Sequence, residues 1–237
     1  MRVLQSYIMV SIFRIGFKRQ VNQTCTLTAA LIPSATFPTQ LKQAVAAIEH
    51  LISTGVQPQN IQIVGDSAGA NLALQLISHI LHPLSGVRPL NLPSPIRGIY
   101  LMSPWVLLTG TEGSMTSNGG KDIVSPTSIN MWGHQVLDGI PDSQLPYVEA
   151  TKAPESWFKE MDAAVERVLI TAGSAECLRD PIEVFAKQIC SVHDGATFWM
   201  QENGVHDDPY FDIFGEKTLG KTTPQILEWF ATGFNMV

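Results

Sequence analysis

Between residues 61 and 81 the chain passes from a short run that reads as a buried strand, through a glycine-flanked serine, into a helix. Ile61-Gln62-Ile63-Val64 is the strand, Gly65-Asp66-Ser67-Ala68-Gly69 follows without a spacer, and Asn71 to Leu81 is the helix. A G-x-S-x-G stretch in that setting needs a turn so sharp that its central residue is strained. The turn is tolerable only where its neighbours are small, and Gly65 and Gly69 supply that smallness. It lifts the Ser67 hydroxyl clear of the sheet and sets it at the N-terminus of the next helix. There the positive end of the dipole, and the backbone N–H of Ala68 in particular, favour a developing oxyanion.

The rest of the chain alternates in the same way. Thr24 to Ile32 reads as a strand and Ser34 to Pro38 as a turn. Gln40 to Ser53 reads as a helix with Leu41, Ala44, Val45, Ile48, Leu51 and Ile52 on one face. Ile96 to Met102, Arg167 to Thr171 and Thr197 to Gln201 read as strands, with helices from Pro181 to Ser191 and from Thr223 to Phe234. Strands alternating with helices imply βαβ units, hence an α/β fold with a mainly parallel sheet and helices on both faces. The stretch from about Val106 to Trp157, rich in Gly, Ser, Thr and Pro, breaks the alternation. It is expected to form a cap or pocket wall over the carboxyl ends of the strands, within a single domain spanning residues 1–237.

Near the N-terminus, Val3 to Phe13 is too short for a membrane span of ~20 residues. Leu4, Tyr7, Ile8, Ile12 and Ile15 follow the helical period, and Arg14, Lys18 and Arg19 sit where cations suit a helix end, so an amphipathic helix is expected there. Arg2 before an apolar stretch imitates a secretion signal without a cleavage site, and Asn22-Gln23-Thr24 reads as a chance sequon. The 237 residues are 45% hydrophobic with a net charge of −6, which permits a large core and offers no electrostatic footprint for nucleic acid. Three cysteines without C-x-x-C spacing argue against a disulfide scaffold or a zinc site and favour a reducing compartment such as the cytoplasm.

A serine nucleophile needs a base, and the base needs a carboxylate to hold its tautomer. His50, His79 and His82 lie in helices around the elbow strand and read as partly exposed helix residues. His134 falls in the irregular stretch, and His193 in a loop at the wrong edge of the sheet. His206, in Gly204-Val205-His206-Asp207-Asp208 just after the last strand, is placed to reach back over Ser67. The acid should follow the strand Arg167 to Thr171, where Glu176 and Asp180 compete. Asp180 precedes Pro181 and a helix, the position of an N-cap, so Glu176 is the better orienting carboxylate. Asp207 and Asp208 are expected to be solvated or bonded to loop backbone.

With these motifs in view, the chain resembles the hormone-sensitive-lipase-like branch of the α/β-hydrolases, especially fungal esterases similar to steryl acetyl hydrolases and arylacetamide deacetylase. The resemblance is carried by Gly65 to Asn71, by the family's D-x-L-x-D pattern on Glu176, Leu178 and Asp180, and by G-x-x-H on Asn203 to His206. Leu31 to Pro38 matches in part the family's Y-x-L-A-P-E-x-x-F-P. The resemblance implies hydrolysis of carboxylic esters of hydrophobic small molecules without metal or organic cofactor, with Ser67, Glu176 and His206 as the triad. One departure stands out: the family's H-G-G-G oxyanion loop is absent from this sequence. The chain therefore reads as an N-terminally shortened member that lacks the first strands. A gap in the sheet, or Thr24 to Ile32 pairing directly beside Ile61 to Val64, is then expected. A catalytically impaired or non-catalytic binding protein, and a tailoring enzyme of fungal secondary metabolism, are the competing readings.

Overall fold

The computed structural model describes residues 7–16, 19–214 and 220–233, with side chains described from Cys25 onward except at 213 and 214. In chain order the elements are β1 (Tyr7–Gly16), β2 (Arg19–Thr28), α1 (Thr39–Ser53), β3 (Ile61–Asp66), α2 (Ala68–Leu81) and β4 (Gly98–Met102). The segment that follows carries α3 (Ser114–Ser117), α4 (Pro126–Leu137) and α5 (Leu145–Val148). Then come β5 (Val168–Gly173), α6 (Arg179–Val192), β6 (Ala196–Gln201), α7 (Pro209–Phe214) and α8 (Thr222–Gly233).

The six strands form one sheet in the order β2-β1-β3-β4-β5-β6. From β3 to β6 every pairing is parallel, as crossover helices require. Side chains alternate across these strands. Ile99 and Leu101 of β4, with Val168, Ile170 and Ala172 of β5, join a large core with Leu41, Leu72 and Phe185 from α1, α2 and α6. Tyr100, Met102 and Leu169 face the other way onto Ile226 and Trp229 of α8. The period-two alternation puts helices on both faces, and Phe230 meets Tyr100 edge-on with ring centroids 5.8 Å apart.

The N-terminal expectation is corrected. Residues 7–16 form a strand, not an amphipathic helix; the start of the expected helix and Lys18 lie outside the described residues. β1 pairs antiparallel with β3, Val10 opposite Ile63 and Ile12 opposite Ile61, and antiparallel with β2 on its other side. β1 thus occupies the place beside the elbow strand where a gap or the stretch Thr24 to Ile32 was expected, and the second strand is Arg19–Thr28. The physical reason is that an almost continuous apolar run satisfies both periods. Its Ile and Val residues suit a strand, and the unpaired edge of β3 presents backbone groups that need partners.

Candidate active site

Ser67 sits between β3 and α2 with φ 48° and ψ −112°, a left-handed conformation held against its cost by the surrounding backbone. Its N–H donates to Met102 O at 2.9 Å and its carbonyl accepts from Trp105 N at 3.2 Å, which ties the turn to the end of β4. A Cβ at Gly65 would lie 2.5 Å from the Gly69 carbonyl carbon, so the two glycines cross at a separation no side chain permits. Ala68 opens α2, where the leading N–H groups have no partner inside the helix, and it borders a mainly apolar pocket beside the turn.

Glu176 and His206 come from the loops after β5 and β6, and both are buried. His206 Nδ1 lies 2.9 Å from Glu176 Oε2. An ionised carboxylate only accepts, so Nδ1 carries the proton and Nε2 is left free to exchange one. Glu176 Oε1 accepts from Gly173 N at 2.7 Å and from Ser103 Oγ at 3.3 Å. Burial, against the bonds from His206, Gly173 and Ser103, holds its carboxyl above the usual range. Ser67 and His206 border one small cavity together with Trp105, Val124, Ile129, Trp132 and Leu178.

Asp180 is not the helix cap that the sequence suggested. α6 begins one residue before it, at Arg179, and its cap position, Leu178, makes no side-chain bond. The Asp180 carboxylate instead accepts from Ser114 N at 2.7 Å, reaching into the segment between β4 and β5. Asp207 is corrected too. It is turned inward, with Oδ2 3.4 Å from His206 Nε2, and its own φ is 55°. Burial, helped by Asp66, Glu176 and Asp122 and opposed by His206, pushes its carboxyl up to about 7. Asp208 does bond loop backbone, accepting from Val205 N at 3.1 Å. For His206, burial acts to lower the affinity for a proton, but the Asp207, Glu176 and Asp122 carboxylates outweigh it and push the imidazole up to about 9. Behind this pair, burial also raises the Asp66 carboxyl, which the Tyr210 hydroxyl hydrogen-bonds.

Three of the other histidines have partners of their own. His79 is buried rather than partly exposed, because the turn after α2 folds back on it: its ring nitrogens contact Arg88 O and Leu84 N. His82 packs on the Trp157 ring at 3.9 Å, and His193 bonds Val165 O beyond the amino end of β5, opposite Ser67.

Two contributors escaped the sequence reading. Asp122 accepts from Cys177 N at 2.6 Å and from His206 N at 2.9 Å, so one carboxylate pins the acid loop and the histidine loop together. Ser103, with φ 43°, passes a hydrogen bond from Asp207 N on to Glu176. No local pattern marks either residue. The polar residue directly after β4 was the one available hint for Ser103.

A family model described as alpha/beta hydrolase fold matches residues 30–208. The chain belongs to that family. It is 25% identical over 197 residues to steryl acetyl hydrolase 1 of Saccharomyces cerevisiae, covering 78% of this chain and 45% of that protein. It is 31% identical over 167 residues to an acetyl-hydrolase of Streptomyces hygroscopicus, covering 70% and 50%. The chain thus spans about half the length of these relatives. Among solved structures, a hormone-sensitive lipase from a metagenome library superposes with a TM-score of 0.70 at 19% identity, covering 90% of this chain and 67% of that one. At that identity the likeness is one of fold. Among the described residues no helix is long and apolar enough to cross a membrane.

Proposed function

We propose that the chain is a serine hydrolase that cleaves carboxylic esters of hydrophobic small molecules through an acyl-enzyme. The observation that carries this reading is the 2.9 Å bond between buried Glu176 and His206 beside a serine in the elbow conformation. Glu176 holds the tautomer. His206 Nε2 takes the proton of Ser67 Oγ as that oxygen attacks the ester carbonyl, and Ala68 N–H donates to the oxyanion. Collapse expels the alkoxide, which leaves as the alcohol with the proton from His206. A water then gives its proton to His206 as it attacks the acyl carbonyl; the acyl–Oγ bond breaks, His206 returns the proton to Ser67 Oγ, and the acid leaves. The esterase and acetyl-hydrolase names of the relatives support the reaction class.

The experiment is labelling with a serine-directed fluorophosphonate. Wild-type protein should be labelled and Ser67→Ala should not, and labelling that survives the substitution removes Ser67 from the chemistry. A non-catalytic, ligand-binding role is the second reading. It is favoured by the carboxylate of Asp207 beside Nε2 of His206. An unlabelled wild type that still binds apolar esters would decide for it.

A further inference from the structure

Next to the elbow lies a pocket with about 720 Å³ of non-atom space, partly open to solvent and lined mainly by apolar side chains. Three residues of its wall, Gln75, Trp105 and Trp132, each carry a buried polar atom without a hydrogen-bond partner: Gln75 Oε1 and the two indole Nε1 atoms. Buried polar groups are normally paired, so orphans gathered around one pocket ask what pairs them.

The orientation of Gln75 follows from chemistry. Asn71 Nδ2 lies 2.7 Å from two backbone carbonyl oxygens, those of Trp105 and Val148. Carbonyls only accept, so that end of Asn71 is its NH2 group and the other end is its oxygen. The Gln75 atom 2.8 Å from Asn71 Oδ1 must then be a donor, which leaves Oε1 as the free acceptor. Gln75 lines the pocket at only 7% exposure with Oε1 itself covered, so water does little to satisfy it, and a ligand reaches that oxygen once the side chain turns toward the pocket. From Ser67 it stands eight residues along α2, about 12 Å of helix rise, with a side chain inclined back toward the helix N-terminus.

We infer that Gln75 selects the substrate. It accepts a hydrogen bond from a hydroxyl or amide N–H carried on the apolar part of the ester, roughly an octanoyl chain's length from the reacting carbonyl. The two indole N–H groups suit acceptor oxygens on the same molecule. This inference rests on the proposed ester hydrolysis for its substrate class, but its test does not depend on turnover.

The test is binding to Ser67→Ala, read by tryptophan fluorescence because Trp105 and Trp132 line the pocket. Methyl ω-hydroxyoctanoate is compared with methyl octanoate. The hydroxylated ester should bind about two- to tenfold more tightly, the range of one net hydrogen bond, and Gln75→Leu or Gln75→Met on the same background should erase the ratio. A ratio of one or less with Gln75 intact overturns the inference without any folded variant. So does a preference that survives both substitutions, or binding of neither ester. Separately, wild-type protein that hydrolyses neither ester while the binding ratio holds would defeat the esterase reading and leave the Gln75 acceptor standing.

Discussion

Asp207→Asn should make the protein a better catalyst at neutral pH. Asp207 Oδ2 stands 3.4 Å from His206 Nε2, the nitrogen that must be unprotonated to act as a base. Burial opposes the imidazolium, but Asp207, Glu176 and Asp122 together raise the imidazole to about 9. At pH 7 a base of that strength is neutral in about one molecule in a hundred, since each pH unit is a tenfold change. An opposite charge within ~4–6 Å is worth about 1–3 pKa units. Asparagine keeps the shape and removes the charge, so the neutral fraction at pH 7 should rise about tenfold for one unit and saturate below a hundredfold. The assay is kcat/KM for a p-nitrophenyl ester from roughly pH 5.5 to 10, where the acidic limb reports the free enzyme's base. The wild-type limb should have its midpoint near 9, and the variant's should fall by about 1–3 units. A wild-type limb near the ordinary histidine value, or a limb that Asp207→Asn leaves in place, would refute the electrostatic reasoning.

The remaining predictions concern the acid, the clamp and proton linkage. Glu176→Gln should lower kcat/KM by roughly 10²–10⁴, whereas Asp180→Asn should cost only about 0.5–1.5 kcal/mol in denaturant unfolding; the reverse ranking of activities would exchange their roles. Asp122→Ala strips the acceptor from Cys177 N and His206 N. It should destabilise by about 1–3 kcal/mol for each donor left buried, with a fall in activity that urea titration and rate measurements together would detect; unchanged stability and rate would remove the clamp. Stability should also fall as pH rises. His206 is raised, so its contribution is complete below about 6.5 and lost through about 9, while Asp66, Glu176 and Asp207, all raised, cost stability as they ionise above the usual carboxylate range. The native state therefore holds more protons than the unfolded chain across this window, and a melting temperature higher at pH 8.5 than at pH 6 would contradict the sign.

The legible part of this protein is the part whose reason is local. β3, the turn at Ser67 and α2 lie together in sequence, and their strain, glycines and periodicity can be read within twenty-odd residues. Each parallel strand was placed within a few residues because its apolar run is bounded by turn signals. That Glu176 and His206 share one end of the sheet was readable, because loops after consecutive parallel strands open at the same end, but the ground for setting Asp180 aside, a helix cap, did not hold. What stayed hidden depends on partners far away in the chain. β1 became a strand because the edge of β3, some fifty residues on, was there to pair with it. Asp180 had the signature of a cap, but Ser114 N competed for its carboxylate.

Asp207 shows most clearly why the rest could not be read. Next to the histidine in sequence, it looked like a loop residue whose neighbours would be water. Its positive φ turns the chain so that the carboxylate faces the ring instead. The Ser103 hydroxyl holds its N–H in that turn at 3.1 Å, and Ser103 is held in place by Glu176. The same acid that orients His206 from the Nδ1 side therefore also fixes, through Ser103, the residue that charges it from the Nε2 side. Replacing Ser103 by alanine should loosen both, moving the acidic limb of the rate profile and lowering its plateau together. A serine that only filled space would lower stability and leave the limb where it was.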